Sequence, residues 1–319
     1  TVLLIVCGML AQGSAFAEKP YGSSGSLQKT AISDQQTLNG NNWAVEVKNN
    51  GQYGYDASAG DGGGFWPRGS GKMVIFAAGV YIGVYDRAAG EALVSHIEFD
   101  SEYQPGRILN SGVPADQLQA DDPNSATNRV YIINSDGSGD WDSWPIAEGA
   151  PADTDGDPLI VSDQDSWCVW NDLDLDRHDR TSGYERPIGL EVQMQSYMFN
   201  ASGALGNIFF MKWDITNKSS VDYDSAYVGL WYDPDLDDAS NDLIGSDPVR
   251  KMGYTYNADD HDSPHAFGVD FFQGPLVDAP GETAVIPVLG AGGETMTIPD
   301  KKVLGVTAVS FYINGTDPD

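Results

Sequence analysis

Cysteine is scarce in this chain of 319 residues, which contains only two, Cys7 and Cys168. Cys7 lies in an apolar N-terminal run that ends in Ala15-Phe16-Ala17, a small-x-small pattern typical of a signal cleavage site. The run is too short to span a bilayer, so we predict that residues 1–17 are a secretory signal whose basic start is missing. The exported chain would then keep Cys168 alone, which excludes an intrachain disulfide.

Positively charged residues are also few. The chain has 17 Lys and Arg against 47 Asp and Glu, which gives a formal net charge of −30. Such a surface repels nucleic acids and anionic membranes, whose phosphates require basic side chains for neutralisation. We therefore expect no nucleic-acid partner and no membrane insertion of the mature chain. Cations, glycans and cell-surface proteins remain compatible partners.

Helical periodicity is missing as well, because no stretch sustains apolar residues at the i, i+3, i+4, i+7 spacing of an amphipathic helix. Short aromatic and β-branched runs alternate with Gly, Asn, Asp and Pro instead, and residues 189–195 have the alternation of a half-buried strand. We predict an all-β protein with an antiparallel β-sandwich-like architecture, in one unit or in two packed β subdomains. The predicted strands span residues 43–47, 73–85, 92–99, 130–133, 188–199, 207–216, 226–232, 266–272 and 303–313.

The composition also changes along the chain. Residues 18–40 are poor in apolar side chains and are typical of a flexible linker, whereas 41–319 form the β-rich region. The Asp- and Gly-rich stretch 134–166 indicates either a large loop or a subdomain boundary. Residues 200–232 are typical of two consecutive strands that pair across a turn. Because the last predicted strand runs into the end of the sequence, we expect the protein to continue beyond it.

Aspartate is the most distinctive component, since 37 of the 47 acidic residues are Asp and many of them are clumped. Short carboxylates at alternate positions can converge on one point, and Ca²⁺ takes about six to eight oxygen ligands. The densest window follows a predicted strand, which would position its side chains. We predict a calcium site there, with the ligands Asp233, Asp235, Asp237, Asn241, Asp242 and Asp247.

Two further clusters with the same alternation are candidate calcium sites, formed by Asp172, Asp174 and Asp176 and by Asp153, Asp155 and Asp157. In the former, an extended backbone would place all three carboxylates on one side, although Arg177 and Arg180 offer salt bridges instead. None of the three windows has the spacing of an EF-hand loop. The alternative for all of them is a set of solvated acidic loops, as on the surface of a salt-adapted protein.

Two other groups of side chains suggest different sites. His261 and His265 lie among Asp residues and could bind zinc, but Pro264 excludes a regular helical pair. Trp141 and Trp144 would stack on sugar rings if they were exposed, whereas Trp is more often buried. A carbohydrate-binding module, or a glycoside hydrolase that uses paired carboxylates, is therefore the alternative function.

Motifs for catalysis are absent from the sequence. There is no G-x-S-x-G, no H-E-x-x-H and no phosphate-binding loop. Cys168 lies among aromatic residues rather than in the basic surroundings that activate a thiol. We predict no catalytic activity.

Several short sequence segments within residues 41–275 carry a family resemblance. They are Trp66-Pro-Arg-Gly-Ser-Gly71 with Ile75-Phe-Ala-Ala-Gly-Val-Tyr-Ile-Gly83, Asp163-Gln-Asp-Ser-Trp167 with Val169-Trp-Asn-Asp172, Asp233-Pro-Asp-Leu-Asp237 with Asn241-Asp-Leu-Ile-Gly-Ser-Asp247, and Tyr254-Thr-Tyr-Asn257 with Gln273-Gly-Pro275. Together they resemble a family of uncharacterised secreted, β-rich bacterial surface proteins, many of them similar to substrates of the type IX secretion route. The resemblance implies surface attachment, but no activity and no catalytic residues. Residues and resemblance together predict a secreted or cell-surface protein with a structural or adhesive role and calcium-stabilised loops.

Overall fold

The computed structural model describes residues 34–178, 186–258, 266–287 and 295–311. The predicted signal at 1–17 and the predicted linker as far as residue 33 lie outside these ranges, as do Arg180, His261 and His265. The strands of the described ranges are β1 (Gln35–Leu38), β2 (Ala44–Lys48), β3 (Tyr55–Asp56), β4 (Asp61–Gly62), β5 (Gly64–Phe65), β6 (Met73–Ile75), β7 (Ala77–Asp86), β8 (Glu91–Ser95), β9 (Gln104–Pro105), β10 (Tyr131–Asn134), β11 (Gln164–Asn171), β12 (Leu190–Met198), β13 (Phe209–Asn217), β14 (Ser225–Asp233), β15 (Asp242–Asp247), β16 (Met252–Asn257), β17 (Ala266–Asp270), β18 (Leu276–Pro287) and β19 (Thr295–Val303).

Helical structure in the same ranges is limited to short 3₁₀ turns, at Ala115–Gln117, Trp141–Ser143, Ile146–Glu148, Leu205–Asn207 and Ala239–Asn241. None of the helical turns in the described ranges has the length or the apolar character needed to cross a bilayer.

Two antiparallel sheets form the body of the fold. In the first sheet, β1-β2-β5-β6 and β14-β7-β8 are neighbours in those orders, and Tyr53 links the two groups through bridges to Val47 and Ala78. The second sheet has the order β10-β11-β12-β13, with β9 also paired to β11. Smaller antiparallel sheets are formed by β15-β16-β17, by β18-β19 and by β3-β4. The predicted all-β, sandwich-like class is confirmed.

The main core lies between these two sheets. Trp170 of β11 packs against the turn after β2, where a Cβ on Gly51 would lie 2.6 Å from the Trp170 ring. From the same strand, the Cys168 thiol approaches the carbonyl oxygen of Lys48 at 3.8 Å. This burial raises the pKa of the Cys168 thiol, which makes it an unreactive core residue. The opposing sheet contributes Val80, which is fully buried in the same cluster.

The outer face of the second sheet is covered by residues 135–163. This stretch leaves the sheet after β10 and returns at β11, and Asn134 pairs with Gln164 across its base. It is therefore a large loop of one sheet rather than a boundary between subdomains. Beneath it lies a second apolar cluster, which consists of Tyr131, Ile133, Trp144, Ala150, Trp167 and Val169.

The expectation that β12 is half-buried is wrong, because this covering loop lies over its second face. The polar side of the strand is buried too, with Glu191 and Gln195 4% and 5% exposed. Gly149 of the loop lies so close to this strand that a Cβ there would meet the Gln193 side-chain nitrogen at 2.6 Å. Both faces of β12 are therefore covered, one by the first sheet and the other by the loop.

Three expectations about local structure are wrong. In residues 200–232 the two strands do not pair with each other, because β13 pairs with β12 and β14 pairs with β7, so the chain crosses between sheets. Residues 35–38 of the predicted linker form β1, which Leu38 anchors in the core. Residues 304–311 form no strand, although Leu304 packs against the core; residues 312 and 313 lie outside the described ranges.

Candidate metal site

Three carboxylates are brought together where β14 ends and β15 begins. Asp233 is the last residue of β14, and its carbonyl oxygen accepts the N–H of Phe76 at 2.7 Å. Pro234 follows and cannot donate to the ladder, so the strand stops there. Leu236 is fully buried and fixes the loop in the core, and Asp242 opens β15. The chain between the two strands is therefore anchored in the middle as well as at both ends.

The electrostatics of these carboxylates show that they are close neighbours. Burial, together with the charges of Asp235, Asp242 and Glu98, raises the pKa of Asp233 to about 8. Burial and then the charge of Asp61 raise the pKa of Asp235 to about 6. Burial, with the charge of Asp235 adding to it, raises the pKa of Asp242 to about 7. The surroundings of each group, which combine partial or full burial with negative charge, therefore disfavour its ionised form.

Asp242 has unused coordination capacity. The residue is only 4% exposed, and its carboxylate oxygen Oδ2 accepts the N–H of Leu236 at 3.0 Å. The other oxygen, Oδ1, has no hydrogen-bond partner in the described part of the chain. Within the same ranges no Lys, Arg or His forms an ion pair with Asp233, Asp235 or Asp242. A buried anionic group without a cation is unfavourable, and a divalent ion would relieve it.

The ligand set is not preformed. Among the residues that the structure describes, no three His, Cys, Asp or Glu side chains are arranged closely enough to hold a metal ion as they stand. A calcium ion would have to draw Asp233, Asp235 and Asp242 inward. Backbone carbonyl and water oxygens would complete its shell, which tolerates irregular geometry.

The remaining predicted ligands of this window have other contacts. Asp237 points to Lys72, with 2.7 Å between the carboxylate and the ammonium. Asp247 accepts the N–H groups of Val249 and Arg250, and it also pairs with the Arg250 guanidinium. The backbone carbonyl oxygen of Asn241 accepts the N–H of Ala258 at 2.9 Å. Local spacing thus predicted more ligands than the fold brings together.

Two acidic residues near this site were not predicted from the sequence. The charge of Glu98, which follows β8, acts on Asp233, and the charge of Asp61 in β4 acts on Asp235. Both belong to segments more than a hundred residues away along the chain. No local pattern marks them, and only the pairing of β7 with β14 and β8 brings the Glu98 segment near.

The second predicted cluster is separated by the fold. Asp172 is fully buried, and its carboxylate accepts the N–H groups of Ile188, Gly189 and Leu190 at 2.6–3.3 Å and the Ser95 hydroxyl at 3.0 Å. These donors occupy both oxygens, so Asp172 closes a backbone loop and is not available to an external cation. The prediction that it shares one side with its neighbours is therefore wrong.

Asp174 and Asp176 turn away from Asp172. Asp174 pairs with Arg177 at 3.2 Å and accepts the N–H of Asp176 at 3.1 Å, and Asp176 is exposed. Leu175 is 56% exposed. The segment is a turn rather than an extended strand, so the alternation of the sequence does not set its faces.

The third cluster forms an exposed turn. Asp153 Oδ1 accepts the N–H groups of Asp155 and Asp157 at 2.9 and 3.0 Å. The carboxylate therefore folds back onto its own loop, as Asp commonly does in turns. All three Asp residues are exposed, and nothing else in the described ranges converges on them with metal-ligand spacing.

The two Trp residues do not form an exposed platform. Trp144 is 7% exposed, donates its indole N–H to the Pro151 carbonyl oxygen at 2.9 Å and belongs to the cluster under the covering loop. Trp141 is partly buried against the same cluster. A cavity of about 140 Å³ lies beside Trp144, with Tyr197 and Lys212 among its lining residues. Its aromatic wall is an edge of the core rather than an open stacking surface.

Comparisons with protein-family models, with curated proteins and with solved structures find no match. The function therefore has to be argued from the chemistry of the site, because an all-β sandwich alone is compatible with many functions.

Proposed function

We propose that this chain is a secreted or cell-surface protein with a structural or adhesive role, in which calcium bound by Asp233, Asp235 and Asp242 stabilises the loop between β14 and β15. The observation that carries the proposal is that the buried carboxylate of Asp242 lies beside the half-buried carboxylates of Asp233 and Asp235, with no cationic partner among the described residues. The N-terminal signal pattern supports an extracellular location.

The physical argument rests on the balance between repulsion and metal binding. Two carboxylates about 4 Å apart repel each other by about 4 kcal/mol at an effective dielectric constant of about 20. A bound dication replaces this repulsion by attraction and offsets the entropy lost when the loop becomes ordered, about 1–2 kcal/mol per residue. Calcium suits such a site better than magnesium, because magnesium demands a regular octahedron and gives up its water reluctantly.

The position of the loop gives the ion a structural consequence. Leu236 belongs to the main core, and its carbonyl oxygen accepts the side-chain N–H of Asn257 at 3.4 Å. Since Asn257 ends β16, the loop joins the first sheet to the small β15-β16-β17 sheet. Calcium at this point would hold the small sheet against the body of the fold, as expected for a scaffold exposed outside the cell.

Thermal unfolding of the mature chain tests the proposal. We expect calcium to raise the midpoint above that in EDTA, by an amount that corresponds to about 2.7 kcal/mol at a hundredfold excess over the dissociation constant. Potassium chloride at matched ionic strength should not reproduce the rise. An equal rise with both salts would indicate a salt-adapted acidic surface, and an unchanged midpoint would show that no calcium site exists.

Limited proteolysis gives a local readout of the same site. We expect cleavage within residues 234–241 to be faster in EDTA than in calcium, because an empty loop opens more readily. Cleavage at the exposed turn formed by residues 153–157 serves as the control and should be unaffected. Protection of both loops alike would indicate a general effect on stability rather than a site at Asp233.

A further inference from the structure

His96, Glu102 and His178 form a second polar cluster, outside the ligands of the proposed calcium site. The chain turns back after β8, where Ile97 bridges to Ser101 and the N–H of Glu102 donates to the His96 carbonyl oxygen at 3.1 Å. This hairpin places Glu102, which is only 3% exposed, directly beside His96. His178 reaches the same place from the loop that follows β11.

The contacts of His178 place a proton on Nε2. Its Nε2 lies 2.7 Å from the Asp172 carbonyl oxygen. A carbonyl oxygen only accepts, so Nε2 carries a proton, and in the tautomer that can bind a metal the lone pair lies on Nδ1. Nδ1 has no hydrogen-bond partner in the described ranges and lies 4.0 Å from Oε2 of Glu102. The side chain is 1% exposed, so water does not satisfy this nitrogen from bulk solvent.

His96 directs the equivalent nitrogen at the same oxygen. Its Nδ1 lies 3.0 Å from Oε2 of Glu102 without forming a hydrogen bond, while its backbone N–H donates to that oxygen at 3.0 Å. Two ring nitrogens thus converge on one carboxylate oxygen. Either a proton or a metal ion has to lie between these nitrogens and the carboxylate, because a bare lone pair that faces a carboxylate in a buried site is unfavourable.

We propose that His96, His178 and Glu102 bind a transition-metal ion, with Zn²⁺ the best match. Two imidazoles and a carboxylate are ordinary zinc ligands, and ligand atoms at 2.0–2.1 Å from a tetrahedral ion lie about 3.3 Å from each other. The 3.0 Å separation meets this requirement, and the 4.0 Å separation needs an inward movement of His178 by about 0.7 Å.

The surroundings of the cluster fit a metal centre in two respects. Metal-binding His residues usually donate their other ring N–H to a carbonyl or carboxylate, as His178 does to Asp172. The His96 side chain is 12% exposed, which leaves an opening for the ion and for water at the fourth position. His96 also packs against Tyr81 with ring centroids 5.0 Å apart, which holds its orientation.

Cobalt titration tests this site, because four-coordinate Co²⁺ in place of Zn²⁺ gives visible ligand-field absorption. We expect the metal-stripped mature chain to take up one equivalent with such bands, and His178→Ala or His96→Ala to weaken binding more than about 100-fold, beyond the effect of an outer-shell change. Asp176→Asn, which alters an exposed neighbour of His178, is the control and should bind as the wild type does.

The wild-type titration decides the question even if a variant fails to fold. Absence of the cobalt bands in the wild type would overturn the proposal. Binding that survives both His substitutions in folded protein, as judged by near-ultraviolet circular dichroism, would overturn it as well. Calcium does not replace zinc on nitrogen ligands, so a cobalt response without a calcium response would support this site while contradicting the proposed function.

Discussion

Asp242 accepts the backbone N–H of Leu236 through Oδ2 at 3.0 Å, while its other oxygen has no hydrogen-bond partner in the described part of the chain. One carboxylate thus has two separable roles. It closes the loop as a hydrogen-bond acceptor, and it adds negative charge next to Asp235. An amide of the same shape would retain the first role and lose the second.

The effect of Asp242→Asn on the unfolding midpoint should therefore differ between EDTA and calcium. In EDTA we expect a midpoint equal to or above that of the wild type, because the acceptor for Leu236 remains while the repulsion from Asp235 disappears. In calcium the variant should lose the stabilisation that the wild type gains. Calorimetry in both buffers measures this, with Asp155→Asn in the exposed turn as a control expected within about 0.5 kcal/mol of the wild type. An Asp242→Asn protein that keeps the full calcium response would place the ion elsewhere.

The same carboxylates predict how the stability of the metal-free protein depends on pH. Their pKa values in the folded protein, about 8, 6 and 7 for Asp233, Asp235 and Asp242, lie above the ordinary 3.8. The folded state therefore binds more protons than the unfolded state between these values. Their stabilising contribution is complete below about pH 4 and is lost as the pH rises toward 8.

Urea unfolding in EDTA across this pH window checks the prediction. We expect the free energy of unfolding to fall from pH 4 to pH 8 more steeply in the wild type than in the double variant Asp233→Asn, Asp242→Asn. Saturating calcium should flatten the slope, because the metal competes with protons for the same oxygens. Identical slopes for the wild type and the double variant would show that these carboxylates are not the groups that titrate.

Asp172 should behave as a structural acceptor rather than as a metal ligand. Asp172→Asn replaces one accepting oxygen by a donor that faces backbone N–H groups, so we expect a loss of about 3 kcal/mol or more, since hydrogen bonds to a charged group contribute about 1.5–3 kcal/mol each. The loss should be equal in EDTA and in calcium. Asp174→Asn in the adjacent turn is the matched control and should change stability little. A calcium-dependent loss for Asp172→Asn would restore the predicted metal site there.

Gly189 makes this arrangement possible. Its φ of +93° turns its N–H toward Asp172, and a Cβ at this position would meet Leu118 Cδ1 at 2.8 Å and Ser219 Cβ at 3.0 Å. Gly189→Ala combines backbone strain of about 1–2 kcal/mol with overpacking of about 1–3 kcal/mol. Gly137→Ala, at φ +83° with no atom within 4 Å, isolates the backbone term. Equal urea midpoints for the two variants would contradict the close packing around Gly189.

Strand class was predictable because the alternation of side chains is a local property. Residues 189–195 alternate, and β12 spans Leu190–Met198, so the position of the strand was predicted closely. The burial of both faces was not, since residues 135–163 cover the polar side and come from elsewhere in the chain. Nor could the sequence show that β13 and β14 belong to different sheets, because pairing partners depend on non-local contacts.

For the acidic site too, some features could be predicted from the sequence and others could not. The sequence alone determined that the protein is all-β, that its charge is strongly negative and that the densest Asp window follows a strand. Only the tertiary structure decided which carboxylates lie next to one another. It assigned Asp237 to Lys72 and Asp247 to Arg250, and it brought the charge of Glu98 to Asp233. The reason is physical: a side chain's charge state and metal affinity depend on the neighbours that folding supplies, and spacing along the chain does not identify those neighbours.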